Sequence, residues 1–268
     1  MRMAAAFLAS ALVGSVAVAD ATNALNCKAK PDVTIQASRA GLCGFEPARR
    51  SFAGNPAEQA RCLLRTVKEG GNLGAANLPS ELADLVGRPT DLPLETVRAF
   101  LARSGVAEAD VGGPVVGGVG AVYFIIHDTS APNCSEPNLP RSSCPQRGQF
   151  PPNRDEAGWI ENSTFNGYAT SGKKIAHVMT NRVGQSMTMV DFARHIPTTK
   201  FESCVDASRK VGLFIGAENV QPRIGRPAIP ASGRRANDLV APTPGYTRSQ
   251  YDRLALLYVV ASARHGPG

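Results

Sequence analysis

The stretch AVYFII, residues 121–126, decides the fold: six apolar residues, β-branched and aromatic among them, run without interruption from Gly120 to His127. A segment so short and so apolar reads as a strand buried on both faces. VGLFIGAENV, residues 211–220, is a second segment of the same kind. Between them, KKIAHVMTNRVGQSMTMVDF reads as two strands, about 174–180 and 185–191, joined at Asn181 to Gly184. Near the C-terminus, Thr247-Arg248-Ser249-Gln250 is a T-x-x-Q capping box, and Tyr251, Leu254, Leu257, Tyr258 and Ala261 follow at helical spacing. Strands of this type with a long amphipathic helix predict an α/β fold, a mixed central β-sheet flanked by helices.

Working outward, VGGPVVGGVG at 111–120 is glycine-rich and uncharged, and predicts a linker over 113–120. Residues 20–112 ahead of it predict a small, mainly helical N-terminal domain. Asn55-Pro56 with Glu58 is a helix start, and that helix is expected to carry Cys62, Leu63, Leu64 and Val67 before Gly70-Gly71 stops it. A second helix is expected over Leu94 to Ser104, with Val97, Phe100 and Leu101 on one face and Gly105 closing it. Residues 128–172 read as loop with a short helix near 156–161, and 221–245 as a long Pro/Arg/Gly loop.

The N-terminal MRMAAAFLASALVGSVAVA reads as a secretory signal, 1–19. Arg2 supplies its charge, Ala4 to Val16 its apolar core, and Ala17-Val18-Ala19 its cleavage site. The chain is therefore expected outside the cytoplasm, secreted or periplasmic, where disulfides are permitted. Six cysteines leave the pairing open. Cys134 and Cys144, sharing one Pro/Ser-rich segment, are the first pair to expect; of Cys27, Cys43 and Cys62, one is expected to reach Cys204 or stay free.

The 268 residues are 43% hydrophobic and 19% charged, which rules out collagen-like and wholly disordered chains. After residue 20 no apolar run approaches the about 20 residues that cross a bilayer. A net charge of +7 favours acidic partners in general. A nuclease reading would need a phosphate-cradling Gly motif or an H-N-H-like cluster, and neither is present, so no nucleic-acid partner is expected.

Chemistry has few candidates, because the chain holds four histidines, His127, His177, His195 and His265, and none forms H-x-x-x-H. His127 ends the first strand, where alternation puts it on the side of Tyr123 and Ile125 and its ring can turn into a cleft. Glu218 lies near the end of an apolar strand, where a carboxylate needs a partner, water or a function. The plain alternatives are an edge histidine and an exposed strand-end acid.

In order along the chain, IIHDT, KIAHVMTNRVG, a His-bearing loop, IGAEN and YTRSQYDRLALL resemble the zinc-dependent type-2 N-acetylmuramoyl-L-alanine amidases and their relatives, the peptidoglycan-recognition proteins. The resemblance covers about residues 118–265, and with it 121–268 is an amidase-like domain, C-terminally incomplete against the family pattern. It implies that His127 is a zinc ligand, that Glu218 is the catalytic acid/base, and that His177 lines the cleft and steadies the oxyanion. His195 falls near the family's W-H-A-G loop, here R-H-I-P, as a substrate contact, and Arg223 and Arg226 of the basic loop would meet stem-peptide carboxylates. The Cys134/Cys144 pair also resembles the disulfide of recognition proteins. The implied reaction is zinc-dependent hydrolysis of the amide between N-acetylmuramic acid and L-alanine, with peptidoglycan as partner. In the family two further zinc ligands lie beyond the last helix, a His after a Gly and then an Asp or Cys near a Pro. Here ARHGPG stands at that point, so Zn²⁺ has one matched ligand. A metal-free peptidoglycan-binding module is the alternative.

Overall fold

The computed structural model describes residues 43–46, 49, 51–67, 73–76, 78–88, 92–129, 176–196, 198, 212–222 and 245–266. The signal segment 1–19, Cys27, Cys134, Cys144, Cys204, the segment 156–161, Arg223 and Arg226 lie outside the described residues.

AVYFII becomes β5 (Tyr123–Asp128), and the hairpin becomes β6 (Val178–Thr180) and β7 (Ser186–Thr188). The second apolar segment forms β8 (Phe214–Asn219). The four build one sheet in the order β5-β8-β6-β7, with β8 parallel to both β5 and β6 and β7 antiparallel to β6. The sheet is mixed, as expected, and helices accompany it. In register, Ile126 faces Ala217 and Val178 faces it from the other side; one residue on, His127 and Met179 flank Glu218. Side chains alternate across the sheet, so one face carries Phe124, Ile215, Ala217 and Val178, and the other Tyr123, Ile125, His127, Phe214, Gly216, Glu218 and Met179.

The first face meets two helices. The last, Arg248–His265, is capped as its sequence predicts: Thr247 Oγ1 accepts from the Gln250 amide and the Gln250 side chain accepts from the Thr247 amide. Leu254, Leu257, Val260 and Ala261 are buried against Val178, Ile215 and Ala217. Each such side chain withdrawn from water contributes about 1.5–3 kcal/mol. Tyr251 and Tyr258, expected on that apolar face, are exposed, while Gln250 and Arg264 are buried. The face is thus set by 250, 254, 257, 261 and 264.

The helix Leu94–Arg103 matches its prediction in extent, with Val97 and Leu101 buried and Phe100 exposed. It packs into the same core as the sheet and the last helix. In the glycine-rich stretch that reads as a linker, Val111, Val115 and Val119 are buried core residues. The glycines between them let the backbone lie flat on its neighbours. Gly113 has φ +96°, and a Cβ there would fall 2.0 Å from Asp191 Oδ2. Arg264 fixes this segment. Its guanidinium donates to the carbonyls of Val116 (3.0 Å) and Gly112 (2.5 Å) and to Asp191 Oδ1 (2.7 Å).

The opposite face is covered at the amino ends of β5 and β8 by a small hairpin, β1 (Phe45–Glu46) with β2 (Ser51–Phe52). Phe45, Phe52, Tyr123 and Phe214 form an aromatic stack there, and Tyr123 Oη accepts from the Phe52 amide at 2.9 Å. A Cys43–Cys62 disulfide holds the hairpin to the helix Pro56–Leu63. That helix starts at Asn55 with the expected capping box, but it ends at Leu63 rather than reaching Gly70. Arg65–Val67 instead forms β3, antiparallel to β4 (Leu73–Ala76). β-Branched Thr66 and Val67 favour strand over another helical turn.

Candidate functional site

His127 and Glu218 are brought together by register alone. They face each other across the parallel pair β5–β8, one residue before the end of each strand, and His127 Nδ1 lies 3.2 Å from Glu218 Oε1. An ionised carboxylate only accepts, so in this pair Nδ1–H is the donor to Glu218. The imidazole side chain is 60% exposed and the carboxylate 12%. The pair is thus a shielded acid beside an accessible base, at the carboxyl ends of parallel strands, where open α/β sheets bind ligands.

The other histidines go elsewhere. His177 shares the face of Glu218 but sits lower, opposite Gly216, and is buried. The Gly216 amide donates to its Nδ1 (3.1 Å) and its Nε2–H donates to the Arg194 carbonyl (3.0 Å). Both ring nitrogens are used, and burial pushes its pKa down to about 4 against the opposing bond to Arg194. A neutral, buried, doubly bonded imidazole has no free nitrogen for an oxyanion. His177, expected to line the cleft, braces β8 to the segment after β7.

His195 packs on Gly212, where a Cβ would lie 3.3 Å from its own Cβ. That is beyond the Phe214 end of β8, and the four residues from Phe214 to Glu218 span about 13 Å of strand. The substrate contact expected of His195 is therefore far from the pair. Thr198 covers Gly216, where a Cβ would come within 2.7 Å of the threonine's Cβ, so the segment around 194–198 lines the same face below Glu218. His265 bonds the Val119 carbonyl (2.9 Å) at the end of the last helix, ahead of β5. It stands at the amino ends of the parallel strands, away from His127.

A buried polar network behind the pair was missed in the sequence. Asn219, buried and next to Glu218, donates from Nδ2 to the carbonyls of His127 (2.8 Å) and Ala217 (3.2 Å). Its Oδ1 accepts from the Thr180 hydroxyl. Beyond it, Arg182 donates to Gln221 (2.6 Å), Thr247 Oγ1 donates to the Arg182 carbonyl (2.6 Å), and Gln250 Nε2 donates to the Val220 carbonyl (2.9 Å). The signal was present: Glu218, Asn219 and Gln221 crowd the end of an apolar strand, and buried polar groups come hydrogen-bonded.

The resemblance implies a zinc ion at His127. Catalytic zinc takes about three protein ligands and keeps an open position. All four histidines lie among the described residues, and three of them are held away from His127 by their own contacts. Among the described residues no group of three or more His, Cys, Asp or Glu comes together. Also among the described residues, no helix is long and apolar enough to cross a membrane. Searches against protein-family models, characterised proteins and solved structures return no match to this chain.

Proposed function

We propose that this chain acts on peptidoglycan as an N-acetylmuramoyl-L-alanine amidase, hydrolysing the amide between the lactyl group of N-acetylmuramic acid and L-alanine. The observation that carries the reading is the His127–Glu218 pair at the carboxyl ends of β5 and β8. It matches two of the residues on which the resemblance to type-2 amidases rests, brought from 91 residues apart into hydrogen-bond contact. The mixed sheet with a capped C-terminal helix on one face supports the same amidase-like fold.

In this reading Glu218 takes the proton of the attacking water and returns it to the leaving amine nitrogen as the C–N bond breaks. His127, bonded to it through Nδ1, fixes the carboxylate and presents Nε2 to the cleft. Among the described residues, His127 is the side chain that matches a zinc ligand of the resembled family, and no group of three or more His, Cys, Asp or Glu gathers around it. The same reading puts the chain in a secreted or periplasmic setting, which the Cys43–Cys62 disulfide supports.

A second reading, a metal-free peptidoglycan-binding module, is favoured by the engagement of His177, His195 and His265 away from His127. One experiment separates the two. Purified protein is incubated with sacculi, with added Zn²⁺ and with a chelator. The amidase reading expects free stem peptides carrying a new L-alanine amino terminus, lost in His127→Ala. Soluble muropeptides with intact lactyl–alanine bonds overturn it. Sedimentation with sacculi without peptide release selects the binding module, and chelator sensitivity decides whether zinc takes part.

A further inference from the structure

We propose that Asn219 is the positioning residue of the His127–Glu218 pair. Its carboxamide lies at the carboxyl ends of all three parallel strands and bonds one group from each: the His127 carbonyl of β5, the Ala217 carbonyl of its own β8 and the Thr180 hydroxyl of β6. Asn219 is buried, and its side chain projects to the face opposite Glu218. It therefore touches neither the imidazole nor the carboxylate. What it controls is the backbone from which the imidazole springs.

Strand register explains why such a clamp is needed. His127 and Glu218 sit one residue from the strand ends, where ladder bonds run out and the parallel pair can splay. At this point the Asn219 carbonyl accepts from the Thr129 amide (2.9 Å), and its side chain returns a bond to the carbonyl of His127 itself. The clamp holds β5 to β8 on both sides of Asp128. Thr180 in turn fixes which way the carboxamide points, because its hydroxyl donates to Oδ1 and leaves Nδ2 for the His127 carbonyl. With the His127 backbone fixed in this way, the ring meets Glu218 at 3.2 Å.

The consequence is a tautomer, which can be read without any substrate. Paired with Glu218, neutral His127 carries its proton on Nδ1, against the ordinary preference of a histidine side chain for Nε2–H. Long-range ¹H–¹⁵N spectra of the ring nitrogens at about pH 8.5, where imidazole is neutral, report this directly. His177 serves as the internal control, since its proton is held on Nε2 by Arg194. Wild type is expected to show Nδ1–H at His127, and Glu218→Ala to revert to Nε2–H. Asn219→Ala is expected to move His127 in the same direction, lowering the Nδ1–H to Nε2–H ratio about fivefold, the worth of one ordinary hydrogen bond. Adding Asn219→Ala to Glu218→Ala should change nothing more at His127.

Thr180→Val keeps the side-chain shape and removes only the hydroxyl that orients Asn219; it is expected to give a smaller shift in the same direction, and Thr180→Ser none. If Asn219→Ala also loses the His177 pattern and so fails to fold, Thr180→Val decides. A wild-type His127 tautomer in either folded variant overturns the proposal. The role in turnover rests on the amidase reading, where Asn219→Ala should lower kcat with little change in KM. Absent peptide release with the tautomer shift intact would bring down that reading and leave the positioning of His127 standing.

Discussion

The two faces of the sheet treat polar side chains in opposite ways. On the helix side, Arg264, Asn219, Gln250 and Thr247 are buried, and each is hydrogen-bonded within the protein. On the other side, His127 keeps most of its surface in solvent and meets the Glu218 carboxylate. Both faces obey the rule that a buried polar group must be bonded. The difference is what remains afterwards. A buried guanidinium with three acceptors is finished as a chemical group, whereas an imidazole that is 60% exposed can be reached from solvent. His177 sharpens the contrast, because it lies on the open face yet behaves as a helix-side residue, with both nitrogens occupied.

If that contrast is right, substitutions behind the sheet alter stability and those at the open end alter turnover. The largest effect is expected at Arg264→Met, which leaves Asp191 and two carbonyls without their donor. A loss of about 3–5 kcal/mol in urea unfolding is expected, and a loss under 1 kcal/mol would break the contrast. Glu218→Gln should slow peptide release from sacculi by about 100-fold or more with an unchanged unfolding midpoint; full rate in this variant removes the acid/base role.

His177 comes next. Its pKa is lowered in the folded state from 6.5 to about 4, so the unfolded chain binds the extra proton. Its contribution is therefore complete above pH 6.5 and is lost as pH falls from 6.5 toward 4, about 3 kcal/mol in all. His177→Gln, which can accept from Gly216 and donate to Arg194 without titrating, should flatten that slope; identical pH profiles for the two proteins would rule the brace out. The smallest effect is expected at Thr247→Ala, about 1–2 kcal/mol for a lost helix cap, read as a shift in denaturation midpoint with peptide release unaffected.

Much of the frame was legible in the chain. Periodicity and β-branching located β5, the β6–β7 hairpin and β8, and two capping boxes marked helix starts at Asn55 and Thr247. Alternation put His127 on the side of Tyr123, and the strand-end oddity of Glu218 singled it out. What failed was everything decided by tertiary packing. Glycine-rich 111–120 reads as linker, because composition does not reveal that its valines fill a core while its glycines clear room for Asp191 and Phe192. His177 carries the same residue type as a catalytic group, and only its two backbone partners distinguish it. Arg264, one residue before His265, looks like a solvated helix-end cation until Gly112, Val116 and Asp191 gather round it.

The Cys43–Cys62 bond joins residues 19 apart, and the ring it closes contains β1, β2 and nearly all of the following helix. A protease that severed the chain once inside this ring would release nothing: both cut ends would remain tethered through sulfur. In a milieu rich in hydrolases, the aromatic lid over Tyr123 and Phe214 would outlast the first nick.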